Sequence, residues 1–312
     1  MFQKSGFGVR QTALVAALLL AGCGTPPSVQ APAPAPVVAA PVPETAASAA
    51  ARAHYAGVQA ALLSESLLRT ETAPADAPFT DRTLKENFLK IALFEEYSGG
   101  QITQHSHQAP IHLLRWGEPV RVALRFGPAV PATQVATDTA RVGSYLSRLA
   151  KATGHPIALD DRNPNFWVHI ATIDERAAMG PTLNAEMPGL TPGQITSVTQ
   201  MDDGTYCQVL TQSDDMTSTY ARAVAVIPSE HPDLMRMACI DEELAQALGL
   251  PNDSNAARPS IFNDDQEFAL LTRQDELMLR ILYDLALHPG MTEAEARPIV
   301  ETLATRLMDG NS

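Results

Sequence analysis

Aromatic, basic and sulfur-bearing residues are all scarce in this chain. Three cysteines in 312 residues exclude a disulfide-dense scaffold and a cysteine-rich zinc module. Lys and Arg number 22 against 35 Asp and Glu, a formal net charge of −13. That balance disfavours nucleic acid and anionic lipid surfaces as partners, because it supplies neither phosphate contacts nor a polybasic patch. No apolar run is long enough to cross a bilayer as a mature helix; the most apolar is Ala13–Leu20. No internal repeat is present, so a solenoid is excluded. What the chain does have is 45% hydrophobic residues, enough for one large core or two modest ones.

Lys4 and Arg10 precede the apolar run, the pattern of a secretory signal. It ends Leu20-Ala21-Gly22-Cys23, which resembles the bacterial lipoprotein box. Small residues there let the signal peptidase approach, and Cys23 takes the lipid. Gly24, in place of aspartate after the cysteine, implies sorting to the outer membrane. The expectation is a signal peptide over residues 1–22 and a lipoprotein of the bacterial envelope facing the periplasm. The membrane is then a partner through acyl chains. Cys207 and Cys239 remain, in an oxidising compartment, where a disulfide between them is one reading and a buried thiol another.

Residues 23–46 read as a Pro/Ala-rich tether that stays extended. Residues 47–79 read as an N-terminal helix and linker. The helical pattern runs from Thr45 to Thr70 through Tyr55, Val58, Ala61, Leu62, Leu63 and Leu67-Leu68. Pro74 and Pro78 break it. A second helix opens at Thr80 and runs to Tyr97, where Ser98-Gly99-Gly100 stops it. Segments 111–116 and 120–126, joined by Gly117-Glu118-Pro119, predict a hairpin. A helix is expected over 138–153, then strands at 166–173, 193–201, 205–211 and 220–227, with Asp202-Asp203-Gly204 turning between two of them. Trp116, Phe166 and Trp167 belong to the core. A helix beginning near Pro228 ends at Gly249 and Pro251, and a final one spans 272–287. The fold class is α+β, with the main domain over residues 80–312.

The run Cys239-Ile-Asp-Glu-Glu-Leu-Ala-Gln-Ala-Leu-Gly-Leu250 resembles the active-site helix of zinc peptidases, H-E-x-x-H-x-x-G-x-x-H. Gly249 matches the glycine and Glu243 the general base, while the three ligand positions hold Glu242, Gln246 and Asn252. The element order is similar to that of metzincin peptidases. Ser260-Ile261-Phe262-Asn263 stands where matrix-type enzymes carry a methionine turn, and Leu271-Thr272-x-x-Asp275 with Leu282-Tyr283 looks like their closing helix. The stretch from Ala238 to Val300, with Ala257-Arg-Pro-Ser-Ile-Phe-Asn-Asp-Asp265 and Pro289-Gly-Met-Thr-Glu-Ala-Glu-Ala296, also resembles an uncharacterised domain-of-unknown-function family of Gram-negative lipoproteins. That resemblance implies a location and a fold and brings no activity. The peptidase resemblance implies a zincin-like mixed sheet with a long packing helix, a degenerate active-site helix and a C-terminal helix.

Neutral imidazoles suit zinc, whereas the amide oxygens of Gln246 and Asn252 suit harder ions. The reading that follows is an inactive scaffold, with no cofactor, whose cleft binds a peptide or an envelope protein. The alternative is a metal-dependent hydrolase with Glu243 as base and a divalent ion on oxygen ligands. A third possibility is a structural part of an envelope complex, its cleft filled by its own loops. On a helix Cys239, Glu242, Gln246 and Gly249 share one face, so Glu242 or Glu243 is expected to be partly buried and paired, with Arg258 or Arg280 as partner. A Cys239 nucleophile would need His231, which lies about two turns upstream and poorly placed. His105-x-His107 with His112 offers a metal cluster or a polar loop. Asn252-Asp253 and Asn263–Glu267 offer calcium ligands or a solvated loop capped by asparagine.

Overall fold

The computed structural model describes residues 42–95 and 109–310. The expected signal peptide, Cys23, nearly all of the tether, and His105 and His107 lie outside the described residues. The chain has a mixed α+β architecture. Among the described residues it holds a six-stranded, mostly parallel sheet and nine helices.

Helix α1 (Ala46–Ser64) starts on Thr45, whose hydroxyl accepts from Ser48 N. It ends six residues before the expected Thr70. Helix α2 (Asp81–Ala92) opens on a reciprocal capping box between Thr80 and Thr83. It stops at Leu93, short of Tyr97, and β1 (Phe94–Glu95) pairs antiparallel with β2 (Ala109–Pro110).

The expected hairpin does not form. Strand β3 (Arg115–Trp116) pairs with Thr219 and Tyr220 of β8 (Thr219–Pro228), whereas β4 (Val120–Phe126) lies between β5 (Ile157–Leu159) and β6 (Phe166–Ala171). All these pairings are parallel, so Gly117-Glu118-Pro119 moves the chain sideways without reversing it. Val120, Val122 and Ala123 are all buried, which suits an interior parallel strand covered on both faces.

Between β4 and β5 runs the long helix α3 (Ala132–Thr153), closed by Gly154 at φ +68°. Three short helices follow β6: α4 (Ile173–Ala177), α5 (Gly180–Glu186) and α6 (Pro192–Thr199). The last replaces the strand expected at 193–201. Thr191 and Gln194 form a capping box with Pro192 in the first turn, and this start signal outweighs the alternating apolar pattern. Strand β7 (Gln208–Asp214) then forms an antiparallel hairpin with β8, turned at 215–218, and Asp202-Asp203-Gly204 links α6 to β7.

Helix α7 (Asp233–Gln246) follows β8, and α8 (Arg273–Leu282) opens on a capping box of Thr272 and Asp275. A further helix, α9 (Glu293–Asp309), stands where none is expected. Pro298 within its span obscures the helical pattern, and Thr292 with Glu295 caps it.

The sheet reads β3-β8-β6-β4-β5, with β7 on the other edge of β8. Alternation along β6 divides two cores. Phe166, Val168 and Ile170 face the larger one with α2, α3, α7, α8 and α9, while Trp167 and Ala171 face the smaller one with α5 and α6. Trp116, Phe166 and Trp167 are buried. The end of α7 is fixed by Trp116 Nε1 donating to Ala247 O at 2.8 Å and Tyr283 Oη donating to Leu248 O at 3.0 Å. Gly249 sits at φ +120°, where an added Cβ would meet Leu114 O at 2.2 Å. Only glycine fits there.

Candidate functional site

In a doubly wound sheet, ligands gather where the connections diverge, here the crevice between the carboxyl ends of β4 and β6. This crevice is sealed. The Glu175 carboxylate fills it, accepting from Ala129 N and Thr172 N, both at 2.8 Å. A Cβ on Gly127 would overlap that carboxylate.

The open site lies at the sheet's edge. A cleft of about 530 Å³ runs between the β7 side and α7. One wall is Thr205, Tyr206, Cys207, Gln208, Val209 and Thr211; the other is Glu242, Glu243 and Gln246 of α7. Pro251, Asp253 and the 264–266 loop close one end, and Leu62 of α1 reaches its lining. β7 pairs with β8 alone among the described strands, and its Gln208, Val209 and Thr211 line this space. Cys207 and Cys239 are bonded, with Cα atoms 5.9 Å apart, and this bond ties the two walls together.

The structure brings together two of the three ligand positions. Glu242 is half-buried, Glu243 is 5% exposed, and both line the cleft with Gln246, whose Nε2 donates to Asp253 Oδ1 at 3.3 Å. Asn252 does not join them. It is fully buried, its N donates to Ile91 O and its Nδ2 to Lys90 O at 2.9 Å, so it serves to hold α2. The partners expected for the acids are engaged elsewhere or turned outward. Arg258 binds Glu267 at 2.6 Å and Asp76 at 3.3 Å, and Arg280 is exposed.

Three consecutive acids on α7 divide between two environments. Asp241 turns inward, accepts from Leu271 N at 3.0 Å, and burial raises its pKa to about 7. Glu242 and Glu243 turn to the cleft. Asp264, at the rim, is also pushed up, by desolvation and by the neighbouring Asp265 charge.

The remaining sequence candidates are structural. Asn263 caps its loop, accepting from Asp265 N and donating to Ala257 O. Phe262 is fully buried, and Asp275 binds Ser260 Oγ, Thr272 N and Ile261 N, joining the irregular loop to α8. His112 is exposed. His231 lies closer to Cys239 than helix spacing implies, Nδ1 to Sγ 3.7 Å, because it precedes the helix and folds back onto it. The sulfur is committed to the disulfide, and burial holds the imidazole neutral with a pKa of about 3. Among the described residues no three His, Cys, Asp or Glu side chains are grouped to hold a metal ion.

Sequence reasoning missed a second polar cluster, under α1 at the ends of β6 and β8. Arg176, Ser229, Glu230 and His231 are each 2% exposed or less. Glu230 Oε1 accepts from Ser48 Oγ at 2.9 Å and Ile173 N at 2.8 Å, and the Tyr55 ring meets His231 edge-on at 4.2 Å. The Ser-Glu-His run directly after an apolar strand was the available signal.

Among the cleft's described lining residues there is no imidazole, no free thiol and no cation; carboxylates, amides and hydroxyls supply its polar groups. A family described as "Protein of unknown function (DUF2927)" matches residues 81–302. Neither a curated protein nor a solved structure matches the chain.

Proposed function

This chain belongs to the DUF2927 family, and on that premise we propose that it is a lipid-anchored envelope protein that binds an extended peptide in the cleft beside α7. The carrying observation is that β7, which pairs with β8 alone among the described strands, lines that cleft opposite Glu242, Glu243 and Gln246. An unpaired edge offers backbone donors and acceptors at the spacing of a strand, so a peptide gains affinity from main-chain hydrogen bonds and specificity from alternate side chains. The Cys207–Cys239 bond keeps the walls at fixed separation, which lowers the ordering cost of binding.

The scaffold reads as zincin-like without its metal. The order of long helix α3, the later strands, α7, an irregular loop and α8 supports this reading, with Gly249 just past α7 at the motif position, whereas α4, α5, α6 and α9 have no counterpart in the expected order. Zinc does not fit the residues present. The three ligand positions offer one carboxylate and two amides, and the Asn252 amide faces α2 rather than the cleft. The Leu20-Ala21-Gly22-Cys23 box supports the lipid anchor and the outer-membrane address. Among the described residues no helix is long and apolar enough to cross a membrane.

The test is capture of peptides from a random-sequence library on purified protein, followed by amide hydrogen exchange. A captured peptide should slow exchange in residues 208–214. Protection confined to other strands, or no captured peptide, sinks the binding reading. Peptide cleavage lost in Glu243→Gln, with stoichiometric metal, would establish the hydrolase instead.

A further inference from the structure

Helix α1 stops where its sequence does not. Residues 65–69 contain neither Gly nor Pro, and Leu67-Leu68 continue its apolar stripe. The chain nevertheless leaves the helix at Ser66, φ +63°, and Leu68 is left-handed again at φ +55°. Ser66 N donates to Leu63 O at 3.1 Å and Leu67 N to Leu62 O at 3.0 Å. This is a complete Schellman end with serine in the place that favours glycine. Local preference and observed backbone conflict here, and such conflicts mark segments with a second use.

The helix is lightly held on one side of this point, and the chain is firmly held on the other. Of 19 residues in α1, Ser48 and Tyr55 are buried. Its polar anchors are few: Ser48 to Glu230, Thr45 Oγ1 to Asp174 Oδ2 at 2.5 Å, His54 Nε2 to Asp203 O at 3.4 Å, and Gln59 Oε1 accepting from Met235 N at 3.1 Å. Beyond the stop, Leu68 N donates to Gln266 O at 2.9 Å, Arg69 N to Glu267 O at 2.7 Å, and Arg69 bridges Phe268. Residues 65–67 are therefore a hinge. The socket that α1 covers keeps four buried polar atoms without a hydrogen-bond partner: Arg176 Nε, Ser229 Oγ, Glu230 Oε2 and His231 Nε2. Those residues lie inside the family match at 81–302, and α1 lies outside it.

We propose that α1 is an exchangeable arm: the hinge straightens, the helix runs on to Leu67, and α1 leaves its own socket for the same socket on a second copy. Leu68, already left-handed, becomes the new stop. A second copy is the occupant because the socket fits α1 itself, the Ser48 hydroxyl on Glu230 and the Tyr55 ring on His231. Exchange repeats each of these contacts between chains. A short, strained hinge favours exchange over closure. Each cleft then takes Leu62 from the other chain.

Ser66 is exposed, so its substitution leaves the core intact. Ser66→Gly relaxes the observed stop, whereas Ser66→Ala favours the straight helix. Alanine is favoured over glycine inside a helix by roughly fivefold, and a dimer contains two hinges. Sedimentation equilibrium of the purified full chain should give Ser66→Ala a dimer dissociation constant at least about 25-fold below that of Ser66→Gly, since relief of the left-handed stop by glycine in the monomer adds to the helix preference, with the unsubstituted protein between. In a mixture, Thr45→Cys chains should form disulfide heterodimers with Asp174→Cys chains, fastest when both carry Ser66→Ala. Monomers at every concentration, or one association constant for all three residues at position 66, would overturn the proposal. So would the reverse order of the variants.

Discussion

Asp241→Asn should stabilise this protein at neutral pH and leave it unchanged in acid. Asp241 is 8% exposed on α7; its carboxylate accepts one hydrogen bond, from Leu271 N, and Asp275 lies near enough to repel it. Desolvation is the largest cause of its raised pKa, which moves from 3.8 to about 7. The folded state thus holds this proton more tightly than the unfolded chain does. Its stabilising contribution is complete below pH 3.8 and is lost as pH rises through about 7. At about 1.4 kcal/mol per pH unit, a shift of roughly three units removes ~4 kcal/mol by pH 8. Asparagine keeps an acceptor for Leu271 N and carries no charge, so it escapes that loss. Urea unfolding of both proteins at pH 4, 6 and 8 measures the difference. The variant's advantage should be near zero at pH 4, grow between, and level off above pH 7 at ~4 kcal/mol. A difference independent of pH, or a variant less stable at pH 8, would refute the burial argument.

Other outcomes are equally definite. The Cys207→Ser/Cys239→Ser variant should lose about 3.7 kcal/mol in urea unfolding, the chain-entropy value for a loop of this length, since the bond closes a separation of 32 residues; unchanged stability would show that the bond restrains nothing. Peptide bound by the parent protein should also bind this variant more weakly, measured by calorimetry, because β7 is no longer tied to α7. Gly249→Ala should cost about 3 kcal/mol or more, from strain at φ +120° and overlap with Leu114 O, read as a fall in thermal midpoint. Cys23→Ser should abolish incorporation of radiolabelled palmitate and release the protein from the membrane pellet; labelling that persists would remove the lipid-anchor reading.

Much of the chain could be read from local chemistry, and the errors have identifiable causes. Helices α2, α3, α7 and α8 announced themselves through threonine caps, a closing glycine or apolar spacing, because these signals act within a turn or two. The expected hairpin over residues 111–126 failed because apolar segments say that strands exist and not which neighbours they take. Strand β3 found β8, about a hundred residues on. At 193–201 a short apolar alternation yielded to the Thr191 cap. At α1 the sequence favoured continuation and the tertiary ties of Leu68 and Arg69 to residues 266–268 ended it.

The sequence by itself determined the fold class, the threonine-capped starts of α1, α2 and α8, and the facing of Glu242 and Gln246 to one side. Helical spacing is enough to place two side chains one turn apart. Only the tertiary structure decided that this side borders a cleft lined by β7, that Asn252 leaves the group to hold α2, and that Cys207 meets Cys239. It also decided which acid titrates high, since a charge's cost depends on how much water the rest of the fold removes from around it. Burial and strand partnership belong to the whole packed chain, and no run of neighbouring residues contains them.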